Sequence, residues 1–94
     1  MSDELIGSLK DMAMRANAIV GAASWYLFGS ALRDDADAAD IDLLVICQTN
    51  AMADSFRRIV DLDCLALPIH LSIFTEAEQA EVGFVEKQGC VQLI

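Results

Sequence analysis

Basic side chains are scarce in this sequence: six Lys and Arg stand against fifteen Asp and Glu, a formal net charge of −9. A nucleic-acid backbone is held mainly by Lys and Arg that displace its counterions, so this balance argues against nucleic-acid binding by the domain alone. It favours bound cations or a basic partner instead. No apolar run approaches the ~20 residues of a membrane span, and the opening Met-Ser-Asp-Glu lacks the basic start and apolar core of a signal peptide. The expectation is a cytoplasmic protein without a membrane partner. Cys47, Cys64 and Cys90 are odd in number, far apart and set in mostly apolar surroundings. That pattern fits small buried hydrophobes better than a disulfide framework or a zinc site. Proline occurs once, and no linker or low-complexity stretch interrupts the chain.

What is present in quantity is Ala, Leu, Ile and Val, which suits a mixed helix and strand fold. At 94 residues a chain buries about two thirds of its unfolded surface in a single core, so one domain is expected. From Asp3 to about Val20, Leu5, Leu9, Met12, Ala16, Ile19 and Val20 form the stripe of an amphipathic helix, capped by Ser2 or Asp3 and ended by Gly21. Ala23 to Phe28 reads as a short buried strand in which Trp25 and Tyr26 are packing residues, the alternative being that either faces a bound base. Ile41 to Cys47 is the clearest strand, apolar on both faces after Asp42 and therefore central in its sheet.

Asn50 caps an expected second helix that runs to about Leu65, with Met52, Phe56, Ile59 and Val60 toward the core and Arg57 and Arg58 on the exposed side. Pro68 introduces a strand from Ile69 to Phe74, with Ile69, Leu71 and Ile73 on one face and His70 and Ser72 on the other. Thr75 to Glu78 forms a capping box that opens a third helix to about Gln88, which Gly89 ends. The remainder, Cys90 to Ile94, suits an edge strand or a contact with another chain. The order helix, strand, strand, helix, strand, helix, strand predicts an α+β fold, an α/β sandwich with a mixed β-sheet covered by helices.

The chemistry concentrates between Leu27 and Ile46, LFGSALRDDADAADIDLLVI. Gly29 and Ser30 follow a strand directly and precede a turn or short helix at Ala31 to Asp34. In that setting glycine lets the backbone approach a ligand, while free amides and the serine hydroxyl can donate to phosphate oxygens. Asp40 and Asp42 alternate at the head of the next strand, so their carboxylates fall on one face. Two adjacent like charges are costly unless they are solvated or share a cation. A hard ion such as Mg²⁺, which takes carboxylates together with substrate phosphates, removes that cost.

These residues resemble a known family, the minimal nucleotidyltransferases of the polymerase-beta superfamily. The resemblance runs over nearly the whole chain: Leu27-Phe28, then Gly29-Ser30, Arg33 three residues on, and Asp40-Ile41-Asp42 followed by LLVI. It implies that Gly29 and Ser30 hold the triphosphate of a nucleotide, ATP first among the candidates, and that Arg33 steadies a phosphate. It also implies that Asp40 and Asp42 bind Mg²⁺ while an acceptor hydroxyl displaces pyrophosphate. No protein nucleophile is required.

The sequence departs from the family pattern at three places. His70 stands where a third carboxylate is usual, Asp34 where a Gly is usual, and Ala39 where a Ser is usual. His70 can deprotonate an acceptor, ligate a metal, or serve as a hydrogen-bonded structural residue. The resemblance further implies a partner, either a small helical protein that forms a toxin–antitoxin pair with this chain as antitoxin, or a second copy. The alternative is a catalytically impaired module of the same fold that binds nucleotide or a partner protein.

Overall fold

The computed structural model describes residues 3–29, 41–60 and 69–94. Helix α1 (Asp3–Val20) turns Leu9, Ala13 and Ala16 fully inward, with Leu5, Met12 and Val20 packed at the margin. Ile19 was expected in this stripe and is instead 72% exposed. At roughly 100° per residue it is rotated roughly 80° from Leu9, onto the helix flank. Ala13 takes a central place that its weak hydrophobicity did not announce.

After Gly21, whose N–H closes the helix on Asn17 O at 2.8 Å, comes strand β1 (Ser24–Phe28). Its alternation splits the two aromatics. Trp25 is fully buried and donates from Nε1 to Asn17 Oδ1 at 2.9 Å, while Tyr26 points to the other face. Strand β2 (Ile41–Cys47) has the expected bounds and the expected central place, pairing antiparallel with β1 and parallel with β3 (Ile69–Thr75). Strand β4 (Val91–Gln92) completes the mixed sheet, antiparallel to β1, in the order β3-β2-β1-β4.

Helix α2 (Asn50–Ile59) bridges β2 and β3, and differs from expectation at both ends. Thr49 is the cap, its Oγ1 accepting from Met52 N at 3.2 Å. The helix stops at Ile59 rather than near Leu65, because Val60 adopts an extended conformation and packs against the core. Ala53 and Phe56 are buried and Ile59 is partly exposed. Arg57 and Arg58 are on the surface, where Arg57 pairs with Asp54 at 2.9 Å and Arg58 donates to Ser55 Oγ.

The core lies between α1, α2 and one face of the sheet, with Trp25 and Phe56 edge to face at 5.8 Å. Cys47 sits in it, 1% exposed, its thiol donating to the carbonyls of Thr49 and Phe74. Burial pushes that thiol above its ordinary pKa, as expected of an inert buried cysteine. Cys90 is half-buried, and Cys64 lies outside the described residues.

The opposite face is partly covered by the segment after β3. The capping box at Thr75 is formed on both arms, Thr75 Oγ1 accepting from Glu78 N at 3.2 Å and Glu78 Oε1 accepting from Thr75 N at 2.9 Å. The single helix expected here is two, α3 (Glu76–Val82) and α4 (Phe84–Gln88). Gly83 breaks it at φ 62°, a left-handed conformation that costs glycine little and other residues more. Beyond the break Phe84 stands edge to face against Phe28 and Phe74, at 5.0 and 5.3 Å between ring centroids. Helices on both faces of a mixed sheet give the α+β sandwich that the element order predicts.

No described helix is long and apolar enough to cross a membrane. Asn17 ties the end of α1 to β1 twice, accepting from Trp25 Nε1 and donating from Nδ2 to Ala23 O at 2.9 Å. Asn17→Ala leaves both partners without it in a partly buried setting, and should lower unfolding free energy by about 1–3 kcal/mol in urea titrations. An unchanged midpoint would contradict this role.

Candidate functional site

Three strand ends meet on the sheet face that carries Phe84. Phe28 is in register with Asp42, and Asp42 with His70. In-register neighbours on adjacent strands point to the same face, so Asp42 and His70 occupy neighbouring positions on it. The reason lies beneath them. Ile41 and Leu43 are fully buried and Ile69 is 7% exposed, so the core anchors the residues flanking Asp42 and the one preceding His70. Strict alternation then turns Asp42 and His70 outward. His70 is exposed and Asp42 half-buried.

Gly29 completes this end. It follows β1 with φ 84°, in the left-handed region, and its α-carbon faces the Asp42 side chain. A methyl group built there would overlap Asp42 Oδ2 and stand 3.1 Å from its Cγ. The dihedral favours glycine, and any side chain there would have to push the carboxylate end of Asp42 aside. The structure thus brings Gly29 and Asp42, two of the residues singled out in the sequence, against each other. Ser30, Arg33 and Asp40, together with Asp34 and Ala39, lie outside the described residues.

As a cation site the described end offers one carboxylate and one imidazole. Among the described residues no group of three or more His, Cys, Asp and Glu side chains gathers. Asp42 is a suitable oxygen donor for Mg²⁺. His70 is less suited to so hard an ion.

One feature escaped the sequence reading. Tyr26, expected to pack, lines an open cleft of about 500 Å³ with Ile46, Gln79 and Val85, and the carboxylates of Glu76 and Glu86 stand at its margin. It opens on the same sheet face as Asp42, because Tyr26 and Phe28 alternate with the buried Trp25 and Leu27. The alternation was readable. The helix break at Gly83, which shapes the opposite wall, was not.

Gly29→Ala should destabilise the fold by about 1–2 kcal/mol, combining the left-handed strain with the overlap. Part of that cost belongs to the carboxylate, so in an Asp42→Ala background the same change should cost at least about 0.5 kcal/mol less. Strictly additive values in a double-mutant cycle would show that Gly29 and Asp42 are not coupled. Comparison of the chain with protein-family models, with curated proteins and with solved structures gives no match.

Proposed function

We propose that this chain is a metal-dependent nucleotidyltransferase that moves a nucleoside monophosphate from a nucleoside triphosphate, ATP first, to a hydroxyl acceptor, with Mg²⁺ as the ion the family resemblance implies. The observation that carries the reading is the backbone of Gly29 lying against the Asp42 carboxylate, with His70 in register beside it. A phosphate-binding turn and a metal-binding carboxylate serve this chemistry only if they are adjacent.

The turn at Gly29 brings main-chain groups close to a phosphate without an intervening side chain, and Ser30 and Arg33 follow in sequence as donors to the triphosphate. Asp42, with Asp40 two residues earlier, would hold the ion. The buried row beneath Asp42 fixes its position before substrate arrives, which lowers the cost of ordering the site. A bound divalent ion supplies polarisation of the α-phosphate and neutralises charge as pyrophosphate leaves. His70 is in register with Asp42 across the β2–β3 ladder and shares its face, where it would assist an acceptor proton or the ion.

The resemblance extends the proposal to an acceptor surface supplied by a partner. That partner is a small helical protein, toxin to this chain's antitoxin, or a second copy. The presence of an imidazole in place of a third carboxylate favours one alternative, a module that binds nucleotide without turnover.

Incubation of the chain with α-labelled ATP, Mg²⁺ and candidate hydroxyl acceptors, including a co-expressed helical partner, should give label transfer. Asp42→Asn should reduce the rate by at least about 100-fold, the usual order for loss of a group that stabilises transition-state charge. Nucleotide binding by calorimetry without transfer would establish the module. Neither binding nor transfer would remove both readings.

A further inference from the structure

We propose that the cleft around Tyr26 binds an organic ammonium ion, a protonated amine carried on a small apolar body. At about 500 Å³ it falls within the roughly 300–1,000 Å³ of small-molecule sites. Ile46, Ala80 and Val85 supply apolar lining, and the half-buried Tyr26 adds an aromatic ring. The cleft stands apart from the proposed nucleotidyl-transfer site. Ile46 is four residues along β2 from Asp42, or ~13 Å at ~3.3 Å per residue.

The charge of the lining selects the ligand. Glu76 and Glu86 contribute carboxylates, and none of the described residues that line the cleft is basic. Glu86 is oriented by its neighbours: its Oε2 accepts from Gln79 Nε2 at 3.0 Å, while Gln79 Oε1 accepts from Val85 N at 3.2 Å. Gln79 thereby clamps α3 to α4 across the Gly83 break. The same Oε2 lies 3.5 Å from where a methyl group on Gly83 would stand, so the carboxylate sits beside the break.

This arrangement places an oriented carboxylate next to an apolar wall before a ligand arrives, which reduces the ordering cost of binding. An anion would meet two carboxylates without a counter-charge, and a neutral ligand would leave them unused. An ammonium ion can donate charge-assisted hydrogen bonds to carboxylate oxygens and gain from the Tyr26 ring, while its apolar body covers Ile46 and Val85. The formal net charge of −9 further raises the local concentration of cations.

Phenethylamine, protonated at neutral pH, and phenethyl alcohol share one apolar body and differ in charge. Each is titrated into the ¹⁵N-labelled full chain and followed by amide chemical shifts. The amine should perturb Tyr26, Ile46, Gly83 and Val85 in a saturable manner, and the alcohol should bind at least about tenfold more weakly. Glu86→Gln keeps an acceptor for Gln79 while removing the charge, and combined with Glu76→Gln it should bring the amine's affinity down to that of the alcohol. Equal affinities of amine and alcohol for the wild-type chain would overturn the inference, as would amine-induced shifts that leave these four amides unmoved. The wild-type comparison decides the matter even if the double variant fails to fold.

Discussion

The register of β2 between β1 and β3 is the constraint on which the candidate site depends. Because side chains alternate along a strand, the fully buried row Ile41, Leu43 and Val45 commits Asp42, Leu44 and Ile46 to the opposite face. The same ladder sets Phe28 on one side of Asp42 and His70 on the other. A slip of one residue would exchange these sets, burying a carboxylate and exposing the core, at a cost of several kcal/mol for the charge alone. Core packing thus holds the polar residues in place at no direct contact.

The two faces of the sheet are used differently. One carries α1 and α2 and holds nearly all the buried apolar volume, with Trp25 at its centre, hydrogen-bonded by Asn17 and edge to face with Phe56. The other is covered only in part, by Phe84 reaching from α4 to Phe28 and Phe74. Beside that aromatic contact lies the open cleft around Tyr26. Most of the buried apolar packing therefore lies on one side of the sheet, and the proposed site on the other.

Much of this was legible in the sequence, for identifiable reasons. The bounds of β2 and the turn of Asp42 away from Ile41 and Leu43 follow from a period of two in an apolar run. The capping box at Thr75 follows from hydrogen-bonding side chains at fixed spacing. Other features depend on tertiary packing that no local pattern encodes. The exposure of Ile19, the early end of α2 at Val60 and the break at Gly83 each reflect where neighbouring elements leave room. At the site, the need for a positive dihedral at Gly29 was foreseeable from residue type. Its contact with Asp42 was not, since it joins residues thirteen apart on two strands. The pairing of Asp42 with His70 depends likewise on parallel register.

The central claim is that Gly29, Asp42 and His70 mark the place where a metal nucleotide binds. Backbone amide chemical-shift mapping of the ¹⁵N-labelled chain with a non-hydrolysable ATP analogue and a divalent ion tests it directly. The expected result is a set of perturbations concentrated at Gly29, Asp42, His70 and their immediate neighbours, reduced by Asp42→Asn. Perturbations confined to the cleft around Tyr26 and Val85, or none at saturating nucleotide, would contradict it.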